Sequence, residues 1–154
     1  LEPLHEHLFE YKTHMMQNYG AGVQACYRGP RLYDTPETQA AVTEVIQWYK
    51  KYRDILNSDM IHLRRPDARD WDGFIHVNPH KKEKGLAMFF NPTHQEITRT
   101  IHIPLYYTGL TQTARIREKE QKPVTYKLNR DYTVELTVKI PANGYTWYVV
   151  EAAD

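Results

Sequence analysis

Val134-Glu135-Leu136-Thr137-Val138-Lys139-Ile140 is the stretch that decides the fold. Val134, Leu136, Val138 and Ile140 alternate with Glu135, Thr137 and Lys139, so an extended chain places the apolar set on one face and the polar set on the other. That is the pattern of a half-buried antiparallel strand. Working outward, the same period of two runs from Met60 to the end of the chain. It predicts strands at Met60 to Arg64, Gly73 to Asn78, Leu86 to Asn91, Ile97 to Ile103, Thr113 to Arg117, Val124 to Leu128, Val134 to Ile140 and Tyr145 to Glu151. Asn91-Pro92, Thr108-Gly109 and Asn143-Gly144 supply turns between them. Short strands at this regular spacing predict an antiparallel β-sandwich.

Upstream the period is helical. Leu4, Leu8, Tyr11 and Met15 place a helix over residues 3 to 18, with Pro3 in its first turn and Tyr19-Gly20-Ala21-Gly22 ending it. Val23-Gln24-Ala25-Cys26-Tyr27 reads as a short buried strand, and Arg28-Gly29-Pro30-Arg31-Leu32-Tyr33-Asp34 as a loop. Thr35-Pro36-Glu37 starts a second helix: Thr as N-cap, Pro at the first position and a carboxylate facing the helix dipole. That helix carries Ala41, Val42, Val45, Ile46, Tyr49, Tyr52, Ile55 and Leu56 on one stripe. The expected division is therefore residues 1–57 and 58–154. A single helix–strand–helix closes no α/β architecture, since a parallel sheet needs several strands covered on both faces. With no initiator Met ahead of Leu1, the first part is expected to be the end of a larger domain and the second a complete small one.

With 41% hydrophobic and 25% charged residues the chain has the composition of a globular protein. A net charge of +1 gives no electrostatic case for nucleic acid or an anionic membrane, and no apolar run approaches the length of a membrane span. The single Cys26 has no partner within the chain for a disulfide. Twelve Tyr and 3 Trp against 4 Phe favour aromatic side chains that carry a polar handle, which suits wet surfaces such as sugar sites.

Two segments carry a family resemblance: Gly22-Val23-Gln24-Ala25-Cys26-Tyr27-Arg28-Gly29-Pro30-Arg31-Leu32-Tyr33-Asp34, and Ile61-His62-Leu63-Arg64-Arg65-Pro66-Asp67 through Trp71-Asp72-Gly73. With Trp48-Tyr49-Lys50-Lys51-Tyr52-Arg53 between them, they resemble the C-terminal part of bacterial glycoside hydrolases related to the α-galactosidase clan. The resemblance implies a mainly β chain: an antiparallel β-sandwich preceded by a helix–strand–helix remnant of a (β/α)8 barrel. Residues 3 to 18 would be the penultimate barrel helix, 22 to 27 the last barrel strand, 28 to 34 its C-terminal loop and 36 to 56 the last helix. It also implies a carbohydrate-active parent, secreted or periplasmic, that works by acid/base hydrolysis with two carboxylates on earlier barrel strands. No residue here matches those positions, so the chain alone is expected to be inert, with the missing barrel or self-association through residues 1–56 covering its apolar surface.

Loops at the C-terminal ends of barrel strands build the active-site rim. The resemblance therefore makes Tyr27, Arg28, Arg31, Tyr33 and Asp34 candidate substrate-binding residues, the arginines toward sugar hydroxyls and the tyrosines toward a pyranose face. The plainer reading pairs Arg31 with Asp34 as a brace, with Tyr33 packed on the sandwich. Asp67-Ala68-Arg69-Asp70-Trp71-Asp72 offers oxygen ligands for Ca²⁺, but its spacing is not that of an EF-hand. With Arg64, Arg65 and Arg69 adjacent, it reads more simply as a salt-bridged turn, with Trp71 packed at the boundary of the two parts. None of the eight His shows zinc spacing, so no metal or other cofactor is expected. Cys26 reads as a buried thiol. Two rivals remain. A free-standing carbohydrate-binding sandwich module predicts an exposed row of Tyr106, Tyr107, Tyr126 and Tyr145 on one sheet face. A structural domain without a ligand predicts a featureless surface.

Overall fold

The structure, a computed structural model, describes residues 1–25 and 29–153. It divides into two compact units, Leu1–Asn57 and Ser58–Asp154.

In the first unit a 3-10 turn over Leu4–His7 leads into helix α1, Leu8–Gly20, and helix α2 follows at Pro36–Leu56. The α2 boundaries are those its N-cap chemistry predicts. Thr35 accepts from the Thr38 amide at 3.3 Å, and the Thr38 hydroxyl accepts from the Thr35 amide at 3.0 Å, a reciprocal box worth about 1 kcal/mol. The expected apolar stripe is largely in place, with Ala41, Val42, Val45, Tyr52, Ile55 and Leu56 buried. Lys12 of α1 pairs with Glu44 of α2 at 2.8 Å, and the rings of Tyr19 and Tyr49 meet at 5.1 Å. After α1 the amide of Val23 donates to the Asn18 carbonyl across a left-handed Gly22, which closes the helix end. Of the strand expected over residues 22 to 27, the described Val23, Gln24 and Ala25 form none. Extended backbone becomes a strand only by pairing, and among the described residues no strand lies beside them. Cys26 and Tyr27 lie outside the described residues.

The second unit is mainly β and antiparallel, and holds the eight expected strands: β1 Asp59–Arg64, β2 Asp72–Val77, β3 Glu83–Phe90, β4 Ile97–Pro104, β5 Thr113–Glu118, β6 Val124–Lys127, β7 Thr133–Ile140 and β8 Tyr145–Glu151. They form a six-stranded sheet in the order β1-β2-β3-β8-β5-β6 and a two-stranded sheet of β4 and β7. β7 shows the predicted alternation, and Ile101↔Leu136 and Ile103↔Val134 place its apolar face beside that of β4. One core joins the two sheets: Ile101, Ile103, Leu136 and Val138 from the smaller, with Ile75, Ala87, Phe89, Ile116, Tyr148 and Val150 from the larger. β3 and β8 are buried along most of their length on both faces, which explains why Leu86 to Phe90 and Thr146 to Val150 do not alternate.

The chain crosses between sheets twice at one end, after β3 and again after β7. Both crossings converge on Asn91, only 2% exposed. Its Nδ2 lies 2.7, 3.2 and 3.0 Å from the carbonyls of Gln95, Ile140 and Pro141, and its Oδ1 accepts from the amide and hydroxyl of Thr93. The Asn91 amide donates to the Gly144 carbonyl and the Asn143 amide to that of Thr93, so the two crossings are bonded to each other. Replacing Asn91 with Ala strands buried carbonyls. Asn91→Ala is therefore expected to lose about 1–3 kcal/mol of stability, while Thr125→Ala on the exposed face of β6 stays within about 0.5 kcal/mol, both read from urea midpoints at constant m.

Candidate functional site

The loop between α1 and α2 remains the candidate, and its described part, residues 29 to 34, is fastened at two points. Tyr11 on α1 is buried and donates its hydroxyl to the Leu32 carbonyl at 2.8 Å. Asp34 is held by His5: the His5 amide donates to Oδ2 at 3.1 Å, and Nδ1 of the same ring lies 2.8 Å from that oxygen. The Thr38 hydroxyl lies 3.0 Å from Asp34 Oδ1, which ties this brace to the N-cap of α2. The Asp34 side chain is only 6% exposed. Burial pushes its carboxyl up, but the hydrogen bonds from the His5 ring, the His5 amide and Thr38 outweigh it and bring it to about 2.

Between and beside these anchors the side chains face solvent. Tyr33 is 45% exposed and Arg31 is exposed, with its Nε 3.6 Å from Glu2. The expected Arg31–Asp34 brace is thus replaced by two others, Arg31 with Glu2 and Asp34 with His5. A committed carboxylate such as Asp34 is poorly placed to receive a ligand. Arg31 and Tyr33 are better placed, a planar donor fork and a phenol ring on a pinned backbone. Tyr27 and Arg28 lie outside the described residues. Sequence reasoning missed His5 and Glu2 because each acts on a residue 29 positions further along the chain, and no local pattern announces that.

The other constellations resolve structurally. Asp67 receives both guanidinium nitrogens of Arg64, at 3.2 and 2.9 Å, and the amides of Arg69 and Asp70; the Arg64 hydrogen bonds hold its carboxyl well below the usual range. Asp70 pairs with Arg99 of β4 at 3.1 Å, while Trp71 packs on the sandwich core, its ring 5.8 Å from that of Phe89. Burial pushes the Asp72 carboxyl up. Among the described residues no group of three His, Cys, Asp or Glu is placed to hold a metal ion, and no helix is long and apolar enough to cross a membrane. The tyrosine row does not exist as a row. Tyr126 packs against the core, and Tyr106 and Tyr107 are consecutive on a 3-10 turn over Tyr106–Thr108.

No protein-family model and no curated protein matches the sequence. Solved structures do match the fold. A GH27 β-L-arabinopyranosidase from Geobacillus stearothermophilus is 11% identical at a TM-score of 0.62, over 94% of this chain and 30% of that one. α-Galactosidase I from Mortierella vinacea is 11% identical at 0.60, over 92% and 35%. A candidate α-N-acetylgalactosaminidase from Bacillus halodurans is 12% identical at 0.61, over 93% and 31%. The chain thus spans about a third of the length of the structures it matches, and the likeness to α-galactosidase-type glycoside hydrolases read from the sequence holds at the level of fold.

The Asp34 brace carries a pH signature. Its carboxyl titrates lower in the folded chain than the ordinary 3.8, so its contribution to stability is complete above about pH 4 and is lost as pH falls through about 2. Asp34→Asn is expected to lower the thermal midpoint at pH 6 by several degrees, and the gap to the unsubstituted chain should close as pH is taken from 5 to 2.

Proposed function

We propose that this chain is the C-terminal part of a glycoside hydrolase that cleaves O-glycosidic bonds of oligo- or polysaccharides, α-galactosidase-like, and that it is inactive without the remainder of its polypeptide. The observation that supports this reading is the fold likeness, which takes in more than nine-tenths of this chain and about a third of each glycosidase. On this reading residues 1–57 complete a (β/α)8 barrel and residues 58–154 are its accessory sandwich. Hydrolysis then requires two carboxylates on barrel strands outside this chain, one protonating the leaving oxygen and the other attacking or activating water. This chain supplies the rim: Arg31 donates to sugar hydroxyls and Tyr33 lies against a pyranose face, with Tyr27 and Arg28 on the same loop.

The exposed apolar side chains of the first unit agree with this. Phe9, Val23 and Leu32 are 51%, 53% and 60% exposed, surface that the rest of a barrel, or a second copy of the chain, would cover.

The test is hydrolysis of aryl α-galactosides by the longer polypeptide. Arg31→Ala and Tyr33→Ala are each expected to raise KM about tenfold, the loss of one charged hydrogen bond or one stacking face, with the unfolding midpoint unchanged. The 154 residues alone should show no turnover. A longer polypeptide inert on every aryl glycoside, or KM values untouched by both substitutions, would sink the reading.

A further inference from the structure

Leu105 and Thr108 are fully buried, yet Tyr106 and Tyr107 between them are 61% and 62% exposed. The turn that carries them is rigid. The amide and hydroxyl of Thr108 both donate to the Leu105 carbonyl, and the Leu105 amide donates to Tyr132 at 2.9 Å. Gly109 closes the turn at φ +77°, where a Cβ would meet that of Pro79 at 3.0 Å, so the turn lies directly against the residues that follow β2. The rings of Tyr106 and Tyr107 meet edge to face at 5.1 Å, and Tyr106 meets Tyr132 likewise at 5.4 Å. Single exposed aromatics are ordinary. Two on a turn pinned from both sides form a platform whose ordering cost is already met by the fold.

Tyr107 walls an open cleft of about 480 Å³, within the size of small-molecule sites, with Asp59, Ile61, Val77 and Pro79. Asp59 and Ile61 lie on one face of β1, and Asp59 stands opposite Val77 in the β1–β2 register. The floor is therefore the apolar edge of the sheet. The Asp59 carboxylate is exposed and, among the described residues, takes part in no hydrogen bond or ion pair.

We propose that this cleft binds a neutral pyranoside of one or two rings. The C–H face of the sugar lies on Tyr107 and the Ile61–Val77–Pro79 floor, and two adjacent hydroxyls donate to Asp59. A lining with one carboxylate and no cation disfavours anionic ligands. The choice of a sugar as ligand rests on the glycosidase reading, whereas the cleft and its platform do not. The site would hold a saccharide chain on the sandwich without taking part in its hydrolysis.

The experiment titrates the 154-residue chain with methyl α-galactopyranoside, methyl α-glucopyranoside and methyl β-arabinopyranoside, and reads amide chemical shifts. Saturable shifts are expected around Asp59, Val77 and Tyr107 with at least one glycoside, in the millimolar range. Tyr107→Ala and Asp59→Asn should each weaken that binding about tenfold at an unchanged unfolding midpoint, and Tyr107→Phe should retain most of it. No saturable shift with any of the three, or binding that survives both substitutions, would overturn the proposal. Because the readout is binding by this chain, failure of the longer polypeptide to hydrolyse glycosides would count against the enzyme reading alone.

Discussion

The side-chain amide of Asn91 holds the sandwich closed at the end where the chain changes sheets. A sandwich with a six-stranded and a two-stranded layer has a geometric difficulty: the smaller sheet covers only part of the larger one. Both segments that leave or rejoin the larger sheet at this end must therefore follow a fixed path. Asn91 fixes both at once, donating toward carbonyls at the end of β7 while accepting from the turn that leads to β4. With those paths set, Ile101, Leu136 and Val138 meet Ala87, Phe89 and Val150 in one apolar layer. A buried amide satisfied on every side gives directionality that apolar contact lacks. The Asp70–Arg99 pair adds a second tie between the layers, from the loop ahead of β2 to β4.

Much of this was legible in the sequence because its signals are local. Period-two alternation names a strand from its own residues, which is why β7 and β4 were read correctly, and Thr35-Pro36 marks a helix start whatever follows. The order of strands was not legible. β8 lies between β3 and β5, and nothing in Tyr145 to Glu151 says which strands it will join. Composition alone could not show whether the segment at residues 22 to 27 pairs: Val23 to Ala25 form no strand among the described residues, because a strand needs a neighbour. The tyrosine row failed on parity. Tyr126 faces the core from β6, and Tyr106 and Tyr107, being consecutive, belong to a turn rather than to one face of a sheet.

The candidate loop was legible as a loop, and its internal bracing was not. In the sequence Asp34 reads either as a rim residue or as the partner of Arg31, but the fold brings His5 to it and makes it part of the frame. That leaves Arg31 and Tyr33 as exposed polar and aromatic side chains of the loop's described part. A pinned backbone that presents a few exposed polar and aromatic side chains recurs at the Tyr106–Tyr107 turn. In both places hydrogen bonds to the backbone position side chains that reach into solvent, and such groups are where function is expected to lie.

The most direct measurement is to read the coding sequence upstream of Leu1. The account predicts an open frame that continues through roughly 250 residues of alternating strand and helix pattern, with Asp or Glu at the C-terminal ends of strands. A start codon directly before Leu1, or an upstream frame without that alternation, would contradict it.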